Sequence, residues 1–139
     1  KMLELNAFEN KVLGSAENLP FEDNSFDNVF CSFVWRNVSD TNKALDEIFR
    51  VLRPGGKFVL LDMTRPKNFF LKLLHKIGTF TLLHLIGLLT FNVKEYRFLY
   101  KSLDFYPQPE NHLKKDKFIE LKMERMGLFN FVYMAIFTK

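Results

Sequence analysis

Apolar positions divide this chain into runs whose spacing predicts strands and helices in alternation. Phe26 to Val34 is β-branched and aromatic with little polar alternation after Asn28, the pattern of a central parallel strand covered on both faces. Ser39 or Asp40 can cap the next segment, in which Ala44, Leu45, Ile48, Val51 and Leu52 recur at helical spacing before Arg53-Pro54-Gly55-Gly56 stops it. Lys57 to Met63 is again a short apolar run bounded by turn residues, long enough for a buried strand. Strand, helix, strand is a βαβ unit, which predicts an α/β fold: a mostly parallel sheet with flanking helices and right-handed crossovers.

The flanking segments are less regular. Met2 to Phe8 has the spacing of a helix end with no cap residue ahead of it, so the element is expected to begin before Lys1. Phe69 to Phe91 predicts one or two helices broken near Gly78, and Val93 to Leu103 a helix with Tyr96, Leu99 and Leu103 on one side. Leu113 to Met126 reads as an amphipathic helix stopped by Gly127, and Phe129 to Thr138 as a closing strand. The uncharged part of the apolar segment, Ile77 to Phe91, is shorter than the roughly 20 residues that cross a bilayer, so a spanning helix is not expected.

Composition narrows this only a little. With 139 residues, 47% apolar and 26% charged, the chain has room for one domain, residues 1–139, without repeats or linkers. Its 17 phenylalanines suggest an aromatic core or an apolar ligand cavity. The net charge of +4 is scattered, with no basic block of the kind that binds nucleic acid. Cys31, alone in an apolar run, and the absence of a signal-like segment at the first residues fit a cytoplasmic protein.

Ligands of open α/β sheets bind where loops leave the carboxyl ends of the strands. Three loops qualify and should share one edge: Gly14-Ser15-Ala16, Ser32 to Asn37, and Asp62 to Pro66. Individually most of their residues have plain readings, Ser32 as a hydroxyl bonded to nearby backbone and Trp35 as core. Arg36 is more telling, because a guanidinium between an apolar strand and a helix cap must find an acceptor or water. No metal site is expected: His75, His84 and His112 are far apart and lack ligand spacing. The chain contains no G-x-S-x-G elbow, P-loop or G-x-G-x-x-G.

Together these segments form a recognisable phrase. Ala16-Glu17-Asn18-Leu19-Pro20-Phe21-Glu22-Asp23-Asn24-Ser25-Phe26-Asp27 resembles a segment of Rossmann-like class I methyltransferases that use S-adenosylmethionine (SAM). Ser32-Phe33-Val34-Trp35-Arg36-Asn37-Val38-Ser39-Asp40 and Arg50 to Thr64 are similar to two signatures of the ubiquinone/menaquinone biosynthesis C-methyltransferases. Glu95 to Leu103 resembles a helix of the same family, so the likeness runs from Leu13 to about Gly127. It implies a SAM-dependent enzyme that methylates a small acceptor, a ring carbon of a lipid-soluble quinol. It also implies that Ser15 and Ala16 flank the adenine, that Ser32 lies near the methionine end, and that Arg36 and Asn37 face the acceptor. Residues 67–104 would form a helical lid, and Tyr96 or Arg97 would join catalytic Arg36 and a water in stabilising a phenolate.

The sequence departs from the family at Ser15 (Asn or Asp there), Val34 (Gly), Trp35 (Leu), Asp62 (Glu) and Thr64 (Ser), which implies a reshaped acceptor pocket. The family's glycine loop and its ribose-binding acid would lie before Lys1, and only one strand's worth of chain follows Gly127 where the family has a pair. The expectation is therefore a domain incomplete at its N-terminus that alone is inactive. Lys72, His75 and Lys76 would border a surface resting on a membrane as the acceptor enters. Assembly with further copies is left open, as are two rivals: a non-catalytic scaffold module, and a methyltransferase for another small acceptor such as a sterol or amine.

Overall fold

The computed structural model describes residues 11–105, 108–113 and 117–139; the expected helix from Met2 to Phe8 lies outside them. Strand β1 (Phe26–Ser32) leads through a 3₁₀ turn (Trp35–Asn37) into helix α1 (Thr41–Val51) and strand β2 (Leu52–Met63). Helices α2 (Phe69–Leu89), α3 (Val93–Phe105) and the short α4 (Pro109–His112) precede strands β3 (Ile119–Met126) and β4 (Val132–Thr138). The sheet has the order β1-β2-β4-β3, with β1 and β2 parallel and the other two pairs antiparallel.

The βαβ unit forms as the hydrophobic spacing predicts. Asp40 caps α1 by accepting from the Asn42 and Lys43 amides at 3.1 Å each. Ala44, Leu45, Ile48 and Val51 on its apolar face are buried. Against them stand Phe58 and Leu60 of β2 and Tyr133, Ala135 and Phe137 of β4, with Trp35 and Phe118 closing the cluster. Phe58 and Phe137 stack at 6.0 Å, and Trp35 tilts over Phe58 at 5.7 Å. Burial of each such side chain stabilises the fold by about 1.5–3 kcal/mol.

Two expectations about the sheet are corrected. The sheet is mixed rather than mostly parallel, because residues 119–126 form β3 instead of the last turns of a helix. That segment, Ile119-Glu120-Leu121-Lys122-Met123-Glu124-Arg125-Met126, alternates apolar with polar residues, and antiparallel pairing with β4 rewards a period of two over its weaker helical one. The strand pair that seemed halved is therefore present, its first member lying before Gly127. Among the described residues β1 is the outermost strand of the sheet, and Phe30 is 73% exposed. A single crossover helix covers only one face: Phe58, Leu60 and Asp62 are buried, whereas Val59, Leu61 and Met63 on the opposite face are half-buried.

The junction of α1 and β2 depends on two glycines. Gly55 has φ +78°, a conformation that side chains with a Cβ resist. At Gly56 a Cβ would sit 2.8 Å from the Arg53 carbonyl oxygen and 3.0 Å from that of Asp27, both rigid backbone. Gly56→Ala is expected to destabilise the protein by about 1–3 kcal/mol, read as a fall in the urea midpoint at unchanged slope.

Helix α2 is continuous through Gly78 rather than broken there. Its 21 residues are long and apolar enough, by length and composition, to cross a membrane, yet it packs along α3 with most of its apolar side chains exposed.

Candidate functional site

Parallel pairing brings the ends of β1 and β2 to one rim, with Ser32 opposite Leu61. Beyond Ser32 the chain turns sharply at Phe33, whose φ of +56° is a left-handed conformation rare outside glycine. The Phe33 amide donates to the Leu61 carbonyl at 2.8 Å, which directs the following 3₁₀ turn across the end of β2. Trp35 at its start is 1% exposed and anchors it in the core.

Asp62 organises this rim. It lies on the core-facing side of β2, and its side chain is fully buried. The carboxylate accepts the Arg36 amide at 3.0 Å, the Met63 amide at 2.7 Å and one nitrogen of the Arg36 guanidinium. A buried carboxylate holding an arginine by main chain and side chain fixes the guanidinium in place, and Arg36 is itself only 9% exposed along its side chain. Burial, and then the nearby Asp62 charge, push the Cys31 thiol up to about 11, so it stays protonated and is no nucleophile at neutral pH.

The first loop is tied down through Glu17. Its carboxylate accepts from the Ser15 hydroxyl and from the Ser39 and Asp40 amides at 3.0 and 3.3 Å. The Ser15 bond above all lowers the Glu17 carboxyl to about 2. Arg50 fixes the rest of this loop, donating to the carbonyls of Leu19 at 3.0 Å and Phe21 at 2.8 Å. Asp62 thus joins the second and third expected loop tips, and Glu17 ties the first to the cap of α1.

Ser32 and Asn37 are exposed at this rim, Ser15 is exposed and hydrogen-bonded to Glu17, and Ala16 packs partly against the core. The lid residues are placed differently. Tyr96 faces Gly87 near the far end of α2, and neither Tyr96 nor the exposed Arg97 is bonded to Arg36 among the described residues. The C-terminal part of α3 is instead tied to the end of β2 by Arg65, which is 2% exposed. Its guanidinium donates to Asp104 at 3.0 Å, to Thr79 at 2.8 Å and to the Tyr100 carbonyl at 3.3 Å, meets His75 Nδ1 at 3.1 Å, and lies 5.0 Å from the centre of the Tyr100 ring. Burial works against the Asp104 charge, but the bonds from Lys76 and Arg65 hold its carboxyl below the usual range.

Sequence reasoning placed Asp62 on the rim without giving it a part, and missed Glu17 and Arg65. A carboxylate inside the run Phe58-Val59-Leu60-Leu61-Asp62 was the available signal for Asp62. Nothing local marks Arg65, whose partners come 10 to 39 residues later.

Three buried polar atoms at the rim have no hydrogen-bond partner among the described residues: Trp35 Nε1, Arg36 Nε and Thr64 Oγ1. They belong to the two tips that Asp62 joins, and buried polar groups left unpaired recur at functional sites.

The arrangement is that of the SAM-dependent methyltransferase fold. The chain aligns over 91% of its length with such a methyltransferase from Aquifex aeolicus (TM-score 0.51, 15% identity, 53% of that chain). It also aligns over 91% with a structure from Thermotoga maritima described as a possible histamine N-methyltransferase (TM-score 0.54, 20% identity, 62% of that chain). Residues 6–134 match the ubiE/COQ5 methyltransferase family, and the chain belongs to it. Relatives named ubiquinone/menaquinone biosynthesis C-methyltransferase include one from Rickettsia felis, 38% identical over 91% of this chain and 54% of its own length. Another, from Rickettsia akari, is 40% identical over 79% of this chain and 46% of its own. The chain spans about half the length of these relatives.

Proposed function

We propose that this chain supplies the acceptor-side rim and the lid of a SAM-dependent methyltransferase acting on a ring carbon of a quinol. Family membership and the names of the relatives support the reaction class. The observation that carries the residue assignment is the Arg36 guanidinium, clamped by buried Asp62.

Bound SAM supplies an electrophilic methyl group. Ser32, at the end of β1, and Ser15 with Ala16, on the first loop, are the residues of this chain that would hold it. A guanidinium has donors and no acceptor, so Arg36 does not take the phenolic proton, which passes to solvent water, and it acts as a fixed cation. With Nη1 held by Asp62 and Nε buried, Nη2 remains to donate to the acceptor oxygen as negative charge develops there, and a pre-set donor in a water-poor site favours that charge strongly. Asn37 borders the ring on the same turn. Tyr96 and Arg97 form the distal part of the acceptor surface along α3 rather than partners of Arg36.

In the full-length protein, Arg36→Lys keeps a cation beside Asp62 and removes the planar fork. Quinol methylation is expected to fall at least tenfold, equivalent to about 1.4 kcal/mol of barrier, while calorimetric SAM affinity stays within about twofold. Unchanged turnover would refute the role of Arg36. Absence of any SAM binding by the native protein would favour the non-catalytic scaffold.

The exposed apolar side chains of α2 support a membrane-side approach of the acceptor. Of the residues expected to border that surface, Lys72 is exposed, His75 is buried and Lys76 is bonded to Asp104; Phe69, Phe70, Leu73 and Leu85 are exposed beside Lys67 and Lys72, the composition of a helix lying on an anionic lipid surface. The complete protein is expected to float with liposomes containing anionic lipid, and to stay at the bottom of the gradient without them.

A further inference from the structure

We infer that the start of α2 carries a lipid-binding site: a polar pocket that takes the phosphomonoester headgroup of a membrane lipid between Lys67 and Lys72. The inference rests on the membrane-side reading of α2 and names the lipid group this helix meets. Pro66, Lys67, Lys72, Gln108 and Glu110 line the pocket, whose volume is about 350 Å³. Neither Asp62 nor Arg36 lines it, and methyl transfer takes no part in its chemistry.

Charge selects the headgroup. Glu110 is the acid of the pocket, and it is already engaged: Arg125 of β3 donates to its two oxygens at 2.9 Å each, and Lys67 reaches it at 3.0 Å. The Arg125 bond above all holds the Glu110 carboxyl down at about 2, so it stays ionised and paired. Gln108 accepts from Arg125 as well. One turn beyond Lys72, Lys76 is paired with Asp104 at 3.1 Å, and Asp104 also holds Arg65 at 3.0 Å. Arg125 and Glu110 therefore cancel, and the charges of Lys67 and Lys72 are left over. Lys67 is 62% exposed and has donors beyond the one directed at Glu110, and Lys72 is exposed with no ion-pair partner among the described residues. Two ammonium groups at one pocket match a phosphomonoester, which carries about −1.5 to −2 at neutral pH, better than a phosphodiester with its single charge.

The residues between the two lysines make the phosphate a lipid's rather than a free ion. Asn68 caps α2 by accepting from the Phe70 and Leu71 amides at 3.0 and 3.2 Å, which sets the course of the first turn. Phe69 stands one turn before Lys72 on the same side of the helix, and Phe69, Phe70 and Leu73 are all exposed. A free phosphate leaves these side chains in water, whereas acyl chains cover them while the ammonium groups hold the headgroup above. The lysine stems are themselves hydrocarbon and span the two levels.

The test is flotation of the complete protein with phosphatidylcholine vesicles carrying either phosphatidic acid, a monoester, or phosphatidylglycerol, a diester, at matched zeta potential. Binding to phosphatidic acid is expected to be about fivefold or more tighter, the margin a further charge-assisted hydrogen bond gives. Lys67→Gln combined with Lys72→Gln should bring the two lipids within about twofold. Lys94→Gln combined with Lys101→Gln removes the same charge from exposed positions of α3 and should keep the preference. Equal binding of the native protein to the two matched lipids would overturn the inference and leave the membrane-side reading standing, and so would a preference that the α3 pair abolishes as well. Flotation with neither lipid would refute the membrane-side reading and this site together. Lysine side-chain NMR separates the two sources of phosphate: soluble dihexanoyl phosphatidic acid is expected to shift Lys67 and Lys72 at lower concentration than inorganic phosphate does. Equal affinities there would give the pocket to the free ion and overturn the lipid assignment.

Discussion

Asp62→Ala is expected to destabilise the protein by about 3–5 kcal/mol, more than any other single substitution at the rim. The size follows from what is stranded. Two backbone amides, Arg36 at 3.0 Å and Met63 at 2.7 Å, lose their acceptor, and the Arg36 guanidinium loses its counter-charge while nine-tenths buried. Each buried donor left unmade costs about 1–3 kcal/mol, more beside a charge. Asp62→Asn keeps one carbonyl oxygen in place and removes the charge, so its cost should be about half. Urea unfolding followed by circular dichroism measures both. Equal and small losses for the two variants would show that the carboxylate is not the anchor of the 3₁₀ turn.

The same pair marks the boundary of what the chain revealed before folding. The βαβ core was legible because α1 repeats apolar residues at helical spacing and β2 is a bounded apolar run, signals that act within a dozen residues. Parallel pairing then makes the meeting of the rim loops almost a matter of geometry. The last third was not legible in the same way. Residues 119–126 satisfy both a loose helical stripe and a strand alternation, and only pairing with β4, whose residues come later in the chain, decides between them. Long-range pairing routinely overrides local preference in such segments.

The site divides along the same line. Arg36 stood out because its surroundings in sequence are apolar, which leaves a charge requiring explanation. Glu17 looked like one more surface acid, yet it accepts amides 22 and 23 residues away. Tyr96 and Arg97 were grouped with Arg36 by resemblance, and they sit toward the other end of α3. From Tyr96 to Asp104 is eight residues, about 12 Å of helix, and Asp104 is the residue tied to the end of β2.

That tether gives the second large effect. Arg65→Met is expected to release the α2–α3 hairpin while the sheet stays folded. Methionine can fill part of the buried volume, but it leaves Asp104 with Lys76 alone and deprives the Tyr100 carbonyl of its partner. Removing one member of a buried ion pair costs about 3–5 kcal/mol. Asp104 is about a quarter exposed and can rehydrate, so a loss of about 2–3 kcal/mol is the reasonable figure. The loss should fall on the lid, because no other buried ion pair among the described residues joins α3 to the end of β2. Hydrogen exchange is the direct measurement: amides of α2 and α3 should lose protection by about thirtyfold or more, and those of β2 and β4 should change little, as expected of a sub-global opening. Uniform loss across both regions would mean that Arg65 supports the whole domain. Unchanged protection in α2 and α3 would mean that their apolar contacts hold the lid without it.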